Sequence, residues 1–145
     1  MKTIGINDNL GLLSRVPKPP VYLTEYAKEH YRDMAKKLIK IERLKEVYLP
    51  ALEVYAESMA CWEWALREIK RKNKMAFGSG YIQTYSSGAT NITTEMVMMR
   101  NAKSDILDCA KIFGLQPDSD KKLKSTTDPN QGNLFDELQK KLNNG

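Results

Sequence analysis

The sequence predicts an all-α protein: a helical hairpin core with an additional N-terminal helix and short C-terminal helices. Three observations lead there. Apolar residues recur at spacings of three and four over three long stretches, the period of a helix that buries one face. Proline and glycine stand near the ends of those stretches, where a helix tolerates them. Aromatic residues make up only 8% of the chain while methionine occurs 7 times, a balance that favours helix over strand. A chain of 145 residues is most simply one domain, burying about two thirds of its unfolded surface if compact.

Residues 1–20 carry Gly5, Gly11, small polar residues and the run Val16-Pro17-Lys18-Pro19-Pro20. That composition predicts a flexible basic arm, extended or disordered, with a polyproline-like stop. The first helix is expected from Tyr22 to about Leu44, fraying near Lys40, with Thr24 or a residue around it as its cap. Leu23, Ala27, Tyr31, Met34, Leu38 and Ile41 share its apolar face. His30 lies beside that stripe, where a satisfied, partly buried imidazole is expected rather than a base or a ligand. Pro50 suits the first turn of a second helix, because its missing N–H has no helical partner there, and the pattern runs to about Lys74. This helix carries two apolar stripes: Leu52, Tyr55, Met59, Trp62, Leu66 and Ile69, and the smaller Ala51, Val54, Ser58, Cys61 and Ala65. One neighbour cannot cover both, so a hairpin with the next helix and a second contact, with a neighbouring subunit as candidate, are expected.

Met75 to Thr90 breaks the period. Gly78, Gly80 and Gly88 punctuate it, and Tyr81 to Tyr85 alternate like a short strand or extended loop. The Gly-Ser-Gly lacks the Gly-Lys-Ser/Thr that would follow in a phosphate loop. Asn91 is expected to cap a third helix, Ile92 to Phe113, which Gly114 stops. Its apolar side holds Ile92, Met96, Met99, Ile106, Ala110 and Phe113, widened by Val97, Leu107 and Ile112. Pro117 to Lys124 reads as a short helical turn opened by Asp118 and Ser119. The domain reading is a helical core and oligomerisation domain over 21–124, then a linker and amphipathic tail over 125–145.

Several chemistries find no residues to carry them. Two cysteines and one histidine fall short of a structural zinc site, and reduced cysteines suit a cytoplasmic protein. The lysines before Ser104 and Ser125 lack the glycine loop of an ATPase. The lone histidine sits on a packing face, so a catalytic triad is not expected. Asp118 and Asp120 crowd into one turn, where helix capping explains them better than metal-dependent cleavage. No catalytic residue, cofactor or metal is therefore expected. No apolar run approaches the roughly 20 residues that cross a bilayer, and Asn7, Asp8 and Asn9 interrupt any signal peptide, so no membrane partner is expected.

The formal net charge is +5, and it lies toward the N-terminus: 3 − 1 = +2 over residues 1–20, 7 − 5 = +2 over 21–50, 5 − 4 = +1 over 51–75, and zero beyond. Arg15, Lys18, Lys28, Arg32, Lys36, Lys37 and Lys40 are the candidate DNA contacts, since each cation that neutralises a phosphate releases a counterion. The competing reading is a solvated helix that pairs its own charges, with Glu25, Glu29 and Asp33 near those cations and Asp33 bonded to Lys37. Arg67, Lys70, Arg71, Lys72 and Lys74 likewise read either as a nucleic-acid patch or as cations opposing a helix dipole.

The block from Asn91 to Leu123, read with Pro20-x-x-Leu23-x-x-x-Ala27-x-x-x-Tyr31 upstream, resembles the P27-like family of phage terminase small subunits. In that family a helical core ends in Gly-Leu-Thr-Pro-x-Ser, a basic residue and a leucine. Here stand Gly114-Leu115-Gln116-Pro117-Asp118-Ser119, then Asp120 where the arginine is expected, followed by Lys121 and Lys122. Ile92 stands where the family has proline. The resemblance spans about Val16 to Lys124 and implies a homo-oligomeric ring in the host cytoplasm. Such a ring binds viral double-stranded DNA and regulates the terminase large subunit, which carries the ATPase and nuclease. Self-association is then expected at Tyr55, Met59, Trp62 and Leu66, and the large-subunit contact at Leu134, Phe135 and Leu138. Two alternatives stand beside it. One is a small helical DNA-binding regulator acting as a dimer, although no clean helix-turn-helix is present. The other is a purely structural oligomer.

Overall fold

The computed structural model describes residues 11–116 and 140–144. Its elements are α1 (Glu25–Lys40), α2 (Leu49–Met75), the strands β1 (Ile82–Thr84) and β2 (Thr90–Ile92), and α3 (Thr94–Ile112), with a short 3-10 turn, Glu46–Tyr48, leading into α2. The fold is mainly helical, consistent with the all-α expectation, and the connector between α2 and α3 adds one short hairpin that pairs with itself.

Local chemistry sets the helix ends. Thr24 caps α1, its hydroxyl accepting from the Ala27 N–H at 3.3 Å. At the other end Glu42 turns left-handed (φ 57). The N–H groups of Glu42 and Arg43 then reach back to the carbonyls of Ile39 and Leu38 at 3.0 and 2.8 Å, satisfying acceptors that a helix terminus leaves open. That turn ends α1 at Lys40, short of Leu44. Pro50 lies in the first turn of α2. Gly114 (φ 72) closes α3 with the same paired bonds, Gly114 N–H to Lys111 and Leu115 N–H to Ala110.

The cap of α3 is Thr93, not Asn91. Asn91 pairs with Gln83 in the hairpin, and Ile92 pairs with Ile82, so the backbone there is already committed to the ladder. Thr93 is buried and joins the two elements. Its hydroxyl donates to the Gly80 carbonyl at 2.8 Å and accepts from the Met96 N–H at 3.3 Å, while its own N–H donates to Tyr81.

α2 buries different faces along its length. Leu52 and Ala56 join Leu23, Ala27, Tyr31, Ala35 and Leu38 from α1, Leu44, and Cys109 and Phe113 from α3, in one cluster. Further along, Ser58, Ala65 and Ile69 are buried, as is Ala102 on α3, the helix packed along α2. Of the second stripe on α2, Ser58 and Ala65 are buried within the chain, Ala51 and Cys61 are half-buried, and Val54 is exposed. Lys72 meets Glu95 at one end of the α2–α3 contact and Tyr55 meets Phe113 at the other, so the chain runs in opposite directions in the two helices. α1 lies across the N-terminal half of α2: Tyr22 donates to Glu53, the Thr24 N–H to Glu57 at 2.8 Å, and His30 Nε2 lies 3.1 Å from Glu63. Arg43, buried, donates to the Gly114 carbonyl at 2.6 Å and ties the α1–α2 turn to the end of α3.

Residues 11–20 of the expected arm lie along this body. Leu13 donates to the Leu44 carbonyl, Glu46 donates to that of Gly11, and Pro19 is buried. The expected turn at 117–124 and Leu134, Phe135 and Leu138 lie outside the described residues; of the tail, residues 140–143 are helical and Leu142 is exposed.

Thr93→Val keeps the shape and removes the hydroxyl. Losing the cap and leaving the Gly80 carbonyl without its donor is expected to cost about 1–3 kcal/mol, seen as a lower urea midpoint at unchanged m-value.

Candidate nucleic-acid interface

A helix accommodates acids in its first turn and bases in its last, and α1 has Glu25 in the one and Lys37 and Lys40 in the other. Glu25, Glu29 and Asp33 occupy the first part, while Arg32, Lys36, Lys37 and Lys40 fill the second. The buried face, Ala27, Tyr31, Ala35 and Leu38, fixes how the rest is presented. Arg32, Lys36 and Lys40 recur every fourth residue and are exposed, as is Lys37.

Among the described residues none of these four cations forms an ion pair within 4.0 Å. The expected Asp33–Lys37 pair is not made. Lys28 behaves differently: its side chain is mostly covered and bonds to Glu25 at 2.8 Å, a contact that holds the Glu25 carboxyl below its ordinary value. Arg15 and Lys18 are exposed on the segment beside the Leu13–Leu44 bond.

The basic cluster at the end of α2 is largely neutralised. Arg71 pairs with Glu68 at 2.9 Å, Lys72 with Glu95 at 2.9 Å, and Arg67 lies 3.8 Å from Glu63. Lys70 and Lys74 remain exposed and line a shallow cleft of about 370 Å³ with Leu66, Ile69, Asn73 and Tyr81.

The candidate self-association seam divides. Tyr55 packs edge-on against Phe113 at 6.1 Å within the subunit, and burial raises its hydroxyl pKa. Met59 and Trp62 are half-buried, and Leu66 is exposed into the cleft. Neither cysteine is paired, and burial, then Asp105 and Asp108, raises the Cys109 thiol, which disfavours a reactive thiolate. Among the described residues no group of His, Cys, Asp and Glu could hold a metal ion, and no helix is long and apolar enough to cross a membrane.

A family model described as the small subunit of phage terminase matches residues 27–130. The chain belongs to that family. The match covers all but the first two residues of α1 and the whole of α2 and α3, so the exposed cations Arg32, Lys36, Lys37 and Lys40 fall within it. No curated protein and no solved structure matches it.

In this terminase small subunit the connector expected from its glycines and from Tyr81 to Tyr85 is fastened by Asn73 and Ser79, to which the sequence reading gives no role. Asn73 Oδ1 accepts from the N–H groups of Gly78 and Gly80 at 3.1 and 2.9 Å, and Ser79 donates to the carbonyls of Lys72 and Ala76. A Cβ on Gly80 would lie 2.5 Å from the Ile69 carbonyl oxygen, so only glycine fits. The signal was present in Asn73 followed by Gly78 and Gly80, a side-chain acceptor ahead of two small residues.

The Lys72 bond, then Glu95's own backbone N–H, holds the Glu95 carboxyl below its ordinary value of 4.5. A depressed folded-state pKa adds stability above the unfolded value and loses it as pH falls through the folded one. Lys72→Met is therefore expected to lower stability at neutral pH, with the difference from the parent shrinking below about pH 4.5, read from urea midpoints across that range. Gly80→Ala is expected to unseat the hairpin, which hydrogen exchange would report as lost protection at Tyr81 and Thr93.

Proposed function

We propose that this chain is the non-catalytic, DNA-recognising component of a phage packaging motor, of the P27-like kind, and that it presents the C-terminal half of α1 to viral double-stranded DNA. The observation that carries the reading is the exposed row of Arg32, Lys36 and Lys40, with Lys37 beside it, none in an ion pair among the described residues, inside a terminase small-subunit match. Side chains four apart on a helix follow one another at about 6 Å, a spacing comparable to that of successive phosphates. No base-reading pattern accompanies them, so contact with the backbone is the expected mode, and sequence preference would come from the shape of the duplex.

Each phosphate contact of this kind is weak. A ring of copies makes them effective together, because contacts after the first are made at high local concentration. Arg15 and Lys18, exposed on the segment before α1, are proposed to add further phosphate contacts. The large subunit, which would supply ATP hydrolysis and cleavage, is proposed to meet the tail at Leu134, Phe135 and Leu138, an apolar trio at helical spacing.

Alanine at Arg32, Lys36 and Lys40 together is expected to weaken binding to duplex DNA at low salt, about equally across sequences. The slope of log K against log salt should fall by about 0.9 per lost phosphate contact. Unchanged affinity and slope would remove α1 from the interface, and a parent protein that does not bind DNA at all would overturn the reading.

A further inference from the structure

We infer that copies of this chain join head to tail, the hairpin end of α2 in one copy seating on the N-terminal end of α1 in the next. The inference rests on the reading that the subunits assemble, and supplies the surfaces by which they do so.

The hairpin end presents apolar side chains that its own fold does not cover. Met75 is 78% exposed and Phe77 90% exposed, and Phe77 leans edge-on against Tyr81 with ring centroids 6.4 Å apart. These side chains cannot collapse inward, because Asn73, Ser79 and Thr93 hold the surrounding backbone in place. Beside them lie Lys70 and Lys74, cationic and without an ion pair among the described residues.

The second surface lies at the other end of α2. Val21, Tyr22 and Tyr26 are 82%, 74% and 64% exposed within one short stretch of chain. Three acids lie among them: Glu29 is exposed, Glu25 is exposed and bonded to Lys28, and Glu53 accepts the Tyr22 hydroxyl. Glu53 and Met75 are separated by most of a continuous helix, about 33 Å at 1.5 Å per residue, so one subunit cannot bring its two surfaces together.

Charge decides the pairing. A two-fold contact would set the lysines of one hairpin end against those of the other, or glutamates against glutamates, which is unfavourable at close range. A head-to-tail contact sets Lys70 and Lys74 near Glu25 and Glu29 and buries aromatic against aromatic. Such a contact leaves one surface of each kind free on the growing assembly, so it continues until a ring closes or a filament forms. Arg32, Lys36 and Lys40 stay outside it and remain open to DNA.

The test uses the full chain, two variants and light scattering. Phe77→Glu spoils the hairpin surface, and Tyr26→Arg spoils the α1 surface; both side chains are exposed, so far-UV circular dichroism should match the parent. Each variant alone is expected to lose the assembly and scatter as a single chain. Mixed in equal amounts, they are expected to double that mass, since one keeps an intact α1 end and the other an intact hairpin end. A mixture that stays at the single-chain mass, or a variant that keeps the parental mass, overturns the inference while leaving assembly itself standing. A parent that is a single chain overturns both.

Discussion

The need of α2 to bury two differently directed faces organises the molecule. Leu52 and Ala56 point one way, and Ser58, Ala65 and Ile69 point another. A single packed neighbour cannot serve both, because side chains on a helix reach only the surface directly over them. α1 crosses the first region and α3 runs beside the second, and both converge on Phe113, where Tyr48 and Tyr55 meet its ring at 6.3 and 6.1 Å. Two buried aromatic edge contacts at one residue concentrate the packing there. Among the described residues, the other end of α2 has α3 and the hairpin beside it, and its apolar residues Met75 and Phe77 remain exposed.

The same arrangement fixes the cationic row. The Glu57 bond to the Thr24 N–H, the Glu63 contact with His30 and the Arg43 bond to Gly114 grip α1 before, along and after its length. The basic half of α1 is therefore carried by a braced helix. Its acids and bases are ordered as the helix dipole favours, and that order separates the anionic end from the cationic end. The arrangement that steadies the helix also provides one surface for phosphate and another for a neighbour.

Much of this was readable because it is local. Thr24, Pro50 and Gly114 act within a few residues of where they stand, and the apolar face of α1 follows from spacing alone. Asn91 was a reasonable cap until its backbone was claimed by Gln83 across the hairpin, a partner that no window around the helix start contains. The contact of residues 11–13 with Leu44 and Glu46 escaped notice for the same reason, since glycine and proline composition describes a chain without its neighbours. Within the site, the exposure of Arg32, Lys36 and Lys40 was legible from their period. The choice of Lys28 for Glu25, the absence of an Asp33–Lys37 bond, and the turning of Tyr55 inward depend on side-chain positions that spacing does not specify.

Between α2 and α3 the chain is secured by backbone amides and carbonyls, together with the side chains of Asn73, Ser79 and Thr93. Every residue from Tyr81 to Asn91 is exposed. The fastening and the displayed surface are thus supplied by different residues. The exposed side chains of the hairpin can therefore change their chemistry while the bonds that hold α2 to α3 stay as they are.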